Sequence, residues 1–243
     1  MIEDIGDVRR GSYGRHHGQR RPDAPAFTHL AETVRQIAVI GDTFAIVLAR
    51  HLAQALDAGL LGLGPADRAA AFLADGKAAQ ICPVRWGVLH GEPTIDDLRT
   101  AEFVVTDDPA SVARLCLLRP TLLTQPKPRT GSIGSDVLIA WDGSDSAARA
   151  VRAVRPLLRD ARHVRILAKA DADPAVAGDI LEEHGILTST DIMPDDAVNL
   201  SECVRQQVDA HGIDLLVSGR TDQGRQPVWS HSLPYPACAW FTA

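Results

Sequence analysis

Val137-Leu-Ile-Ala-Trp-Asp-Gly-Ser144 decides the fold. Five apolar residues bounded by a turn read as a buried strand, and Asp-Gly-Ser then gives the chain a tight corner with Ser144 placed to cap a helix. Ala147, Val151, Val154 and Leu158 follow at helical spacing, so the corner opens an amphipathic helix. Downstream the same alternation continues: strands over 164–168, 187–192, 214–218 and 237–242, helices over 174–184 and 197–211. Strand and helix in strict alternation call for a parallel sheet covered on both faces.

Upstream, the pattern occurs once more. A strand over 37–40 runs into Gly41-Asp42-Thr43, a turn and helix N-cap, after which Phe44, Val47, Leu48, His51, Leu52, Ala55 and Leu56 mark a helical face. Further strands are expected over 59–63, 84–89, 101–106 and 120–124, with helices from Pro65 to about residue 80 and over 110–118. The junctions match. Asp42 and Asp142 end the first strand of each copy, Gly91-Glu92-Pro93 and Met193-Pro194-Asp195 follow the third, and Arg119-Pro120-Thr121 and Tyr235-Pro236-Ala237 open the fifth. The chain therefore divides into a flexible basic tail over 1–35, a first unit over 36–126, a Pro- and Gly-containing linker over 127–135 and a second unit over 136–243.

Composition sets limits on function. The 243 residues are 45% hydrophobic and 23% charged, an ordinary globular balance. A formal net charge of −6 argues against a nucleic-acid or membrane-surface role for the whole protein. The exception is the tail, where Arg9, Arg10, Arg15, Arg20 and Arg21 with Tyr13 offer RNA an electrostatic arm as the alternative to a plain flexible end. No apolar run approaches a membrane span and the charged start lacks the apolar middle of a signal peptide, so a cytoplasmic location is expected. Cys82, Cys116, Cys203 and Cys238 form no C-x-x-C pair and read as reduced core or boundary residues. The P-loop, G-x-S-x-G and H-E-x-x-H signatures are absent, and no catalytic or metal-binding residue is assigned.

Val137-Leu-Ile-Ala-Trp-Asp-Gly-Ser144 and its Ala- and Arg-rich helix resemble the opening strand and turn of the universal stress protein family. Ile213-Asp-Leu-Leu-Val-Ser-Gly219 resembles that family's fourth strand, and Arg119-Pro-Thr-Leu-Leu its fifth. The resemblance spans 36–243 as a tandem pair, with the second half the better match. It implies an α/β fold of two tandem five-stranded parallel-sheet open sandwiches, Rossmann-like and of the adenine nucleotide alpha-hydrolase type. It also implies a non-catalytic stress-response or regulatory module, and pairing through fifth strands. The two halves would then form a dimer-like unit within one chain, with further self-association wherever a fifth-strand edge stays free.

In an open parallel sheet ligands gather beyond the carboxyl ends of the strands. Nucleotide-binding members of the family place adenosine near the first-strand Asp and phosphates on a loop after the fourth strand. That loop reads Gly, two residues, Gly, nine residues, Gly, then Ser or Thr. By this resemblance Asp142, Gly143, Ser144, Gly219, Arg220, Gly224 and Arg225 are the candidate nucleotide contacts. Counted from Gly219, however, the second and third glycine positions hold Asp222 and Ser232, and Pro227, Pro234 and Pro236 remove amide donors. Gly224 could serve a shifted loop, with Arg220 and Arg225 pairing with phosphate. In the first unit the equivalent loop is Thr106-Asp107-Asp108-Pro109, whose carboxylates would repel phosphate. No cofactor and no tight ATP binding are expected; the alternative is ATP or AMP with magnesium in the second unit. For Asp142 the plainer role is a charge at a helix start capped by Ser144. His90 is expected to be structural, and Trp229, Trp240 and Phe241 to be core or interface aromatics beside an edge strand.

Overall fold

The computed structural model describes residues 34–124, 133–193, 200–220 and 238–243. The first half runs β1 (Gln36–Val39), α1 (Thr43–Ala55), β2 (Gly59–Gly64), a 3-10 turn (Ala66–Arg68), α2 (Ala69–Ala78), β3 (Val84–Val88), β4 (Phe103–Thr106), α3 (Pro109–Leu118) and β5 (Thr121–Leu123). The second half runs β6 (Asp136–Trp141), α4 (Asp145–Val154), a 3-10 turn (Arg155–Leu158), β7 (His163–Ala168), α5 (Ala175–Glu182), β8 (Thr188–Ile192), α6 (Leu200–His211), β9 (Leu215–Ser218) and β10 (Ala239–Thr242).

All ten strands lie in one sheet, ordered β3-β2-β1-β4-β5-β10-β9-β6-β7-β8. The repeated units are thus halves of a continuous sheet. Within each half every pairing is parallel, and the junction, β5 against β10, is the sole antiparallel pairing among the described strands. Trp240 lies opposite Leu123, Phe241 opposite Leu122 and Thr242 opposite Thr121. The fifth strand is therefore not an edge. β10 sits between β5 and β9, which buries Phe241 completely and leaves Trp240 7% exposed. Trp229 lies outside the described residues.

One apolar layer crosses the junction. It gathers Ala45, Ala49 and Ala53 of α1, Phe72 of α2, Ala147, Val151 and Val154 of α4, and Ala177 and Leu181 of α5 against Phe103, Leu122 and Phe241 of the sheet. Phe103 and Phe241 meet edge to face, their centroids 6.1 Å apart. The opposite face carries two smaller clusters, one under α6 in the second half and one around Leu98, Ala101 and Leu115 in the first. There the halves differ: α6 links β8 to β9, whereas β3 and β4 are joined by a segment without an α-helix.

Two expectations need correction. The face of α1 that meets the sheet is its alanine face, and Phe44 is 48% and Val47 37% exposed, because small side chains let the helix lie close to the strands. Cys82 is exposed, unlike the expected core or boundary cysteine, while Cys116 and Cys238 are buried. Of the tail over 1–35, residues 1–33 lie outside the described residues, including the arginines and Tyr13 of the proposed RNA arm. Val34 packs into the core and the Arg35 carbonyl accepts from Gly59 N, so both already belong to the fold. Of the linker, 127–132 lie outside the described residues. Its end is tied down: Asp214 accepts from the backbone amides of Gly134, Ser135 and Asp136 at 2.8, 3.1 and 3.3 Å. Among the described residues no helix is long and apolar enough to cross a membrane.

Candidate functional site

The carboxyl ends of β6 and β9 bring together five of the seven sequence-derived contacts. Asp142 leaves β6 half-buried, and its Oδ1 accepts from Ser144 N at 3.0 Å, closing the turn locally. Gly143 takes the left-handed conformation at φ +76°, which that corner requires. Ser144 caps α4: its Oγ accepts from Ala147 N at 3.1 Å and lies 3.2 Å from Ser146 Oγ. Asp142 Oδ2 has no partner among the described residues.

Gly219, at the end of β9, rests directly on the start of α4. A Cβ there would fall 2.3 Å from Ala147 N and 2.6 Å from Ser146 Oγ. Ser146 is fully buried, and its hydroxyl donates to the Arg220 carbonyl, locking the two segments together. The chain's own backbone thus occupies the approach to this helix start. The Arg220 side chain reaches toward the first half, to the Cys116 thiol of α3. Burial pushes that thiol up, and the neighbouring guanidinium opposes the rise. Arg220 Nε is buried with no hydrogen-bond partner. Gly224, Arg225, Asp222, Ser232 and the three loop prolines lie outside the described residues.

In the first half the corresponding corner is sealed by a carboxylate. Asp107 follows β4 as Gly219 follows β9. Its Oδ1 and Oδ2 accept from Asp42 N at 2.9 and 3.1 Å, and Oδ2 accepts from Ala45 N at 3.3 Å. It thereby caps α1 from across the sheet. Asp42, the residue at the expected cap position, makes no side-chain cap bond and instead pairs with Arg68. Asp108 caps its own helix, accepting from Ala110 N at 3.0 Å. The two carboxylates expected only to repel phosphate are therefore built-in ligands of helix starts.

Two positions escaped the sequence reading. Asp107 reads in the sequence as a charge and not as a cap, because its target lies 65 residues upstream. The second is an acid just before the fourth strand of each half: Glu102 accepts from Gln36 N at 2.8 Å, as Asp214 accepts from Asp136 N. That parallel was visible as a repeated acidic position. His90 is exposed and lies away from both corners in sequence.

The chain is similar in structure to a protein assigned as a universal stress protein from Pseudomonas aeruginosa UCBPP-PA14, with a TM-score of 0.52 and 15% identity over 86% of this chain and 92% of that one. At that identity the likeness concerns the fold. A C2-type ketoreductase from a modular polyketide synthase aligns with a TM-score of 0.28, too low to carry an argument. No protein-family model matches the chain, and no curated protein matches it. The chain has a universal-stress-protein-like α/β fold.

Proposed function

We propose that this universal-stress-protein-like fold serves as a non-catalytic stress-response or regulatory module without tight ATP binding. The observation that carries the reading is the filling of both helix starts by the chain itself. Asp107 takes the amides of Asp42 and Ala45 in the first half; in the second, Ser144 takes the amide of Ala147 and Gly219 packs so close that a Cβ there would fall 2.3 Å from it. A phosphate group gains most from free amides at a helix N-terminus. Here it would have to displace a carboxylate or a packed backbone.

One observation favours a second reading, an adenine-nucleotide binder in the second half: Asp142 keeps a carboxylate oxygen unengaged at a half-exposed corner beside Gly219. Thermal unfolding with magnesium ATP separates the two. A ligand present at about 100 times its Kd stabilises the native state by about 2.7 kcal/mol, which moves the melting temperature by several degrees. The expected outcome is an unchanged melting temperature at millimolar ATP, with AMP giving the same result. A concentration-dependent rise that Asp142→Asn abolishes would establish the nucleotide binder instead.

A further inference from the structure

At the amino-terminal ends of the first half's strands, opposite the corner sealed by Asp107, lies a cavity of about 480 Å³ whose lining includes Arg35, Arg85 and Arg99. Three separate segments bring the arginines there. Arg35 precedes β1, Arg85 lies on the outer strand β3, and Arg99 belongs to the segment leading into β4. That last segment is held by Arg119, whose guanidinium donates to the carbonyls of Ala101 and Leu118 at 3.0 and 2.9 Å and of Arg99 at 3.4 Å. The side chains of Arg35, Arg85 and Arg99 themselves make no hydrogen bond or ion pair among the described residues.

The charge balance is one-sided. Glu102 is the one acid in the lining, and its Oε2 is already taken by Gln36 N at 2.8 Å. Three positive charges against one negative leave two in excess, in a chain whose formal net charge is −6. Like charges gathered in a concavity repel one another unless a counter-ion joins them, and such a concavity concentrates anions. Gln36 supplies the second observation. It is only 5% exposed, its Oε1 accepts from Thr100 Oγ1, and its Nε2 has no partner among the described residues while lining the same cavity. That amide nitrogen faces the cavity, where an acceptor entering from outside can take its hydrogens.

We propose that this cavity binds a small oxyanion carrying two or more negative charges, of the diphosphate or polycarboxylate type. Guanidinium forks suit paired oxygens, and the volume lies in the range of small-molecule sites. Gln36 Nε2 provides the neutral donor that orients the ligand, and the two excess positive charges match its charge.

Calorimetric titration of the full chain at low salt, with inorganic pyrophosphate in one arm and citrate in the other, tests the proposal. Saturable binding of one anion per chain is expected in at least one arm, and the stronger arm identifies the ligand type. Arg85→Gln and Arg99→Gln, both at exposed positions, should each weaken that binding about tenfold, and raised salt should weaken it further. No saturable heat with either anion up to about 5 mM, or binding unchanged in the folded double variant, would overturn it. Neither arginine lies at the Asp142 corner, so this result and the ATP result stand or fall separately.

Discussion

At Gly219 the space allows a hydrogen atom and nothing larger, since a methyl group would press on Ala147 N and Ser146 Oγ. The residue that the family resemblance casts as a phosphate contact thus has a packing duty of its own. Gly219→Ala is expected to lower stability by about 1–3 kcal/mol, the usual cost of overpacking, with no nucleotide present. Gly91→Ala, at a position with open space around it, is the control and should cost far less. Denaturant unfolding of both variants reads the difference, and equal losses would remove Gly219 from the account of the corner. Asp107 tells the same story with opposite chemistry. Where the second half uses the absence of a side chain to bring β9 onto a helix start, the first half uses a carboxylate to bridge the distance.

Strand starts are where ionisation enters. Asp136 opens β6, with its Oδ2 2.7 Å from Arg162 Nη2 and its Oδ1 2.7 Å from His163 Nδ1. These contacts, that with His163 foremost, hold its carboxyl below the usual carboxylate range. Its contribution is therefore present above the unfolded pKa and is lost as pH falls through the folded one. Asp214, next to it, has the opposite sign: burial pushes it up against the amides of Gly134, Asp136 and Ser135, so ionising it costs the folded state stability as pH rises from the unfolded pKa toward the folded one. The stability gap between the wild-type chain and Asp136→Asn should shrink as pH drops below about 4, and it should not exceed about 1 kcal/mol, because Arg162 and His163 are mostly exposed. A gap independent of pH would show that the pair is inert. Elements like β6 and its helix were legible because apolar runs and a Ser cap are local signals; Ser144 caps α4 as its sequence position suggests. The buried face of α1 was not legible, since hydrophobicity ranks Phe44 and Val47 above the alanines that close approach selects. The partner of Asp107 was hidden for a related reason, as nothing local links it to residues 42 and 45.

For the molecule as a whole, the β5–β10 junction is the feature on which association depends. Each fifth strand has both of its sides engaged, β5 by β4 and β10, and β10 by β5 and β9. The pairing expected between family members occurs inside this chain, and intermolecular pairing through the same strands would require opening it. The outer strands that remain, β3 and β8, carry Arg85 and Asp191, charges of the kind that discourage edge-to-edge addition. Light scattering across a hundredfold range of concentration should therefore give the mass of one chain, 26.1 kDa. A mass that climbs with concentration would show that another surface joins the copies. The antiparallel junction also orients what each half offers. Reversing strand direction at mid-sheet places the arginine-lined hollow of one half and the Asp142 corner of the other along the same long margin. Five inter-strand steps separate β1 from β6, and a twist of roughly 20° per step turns one opening about 100° from the other. A small solute can visit either opening alone; only an elongated molecule that spirals with the sheet could touch both.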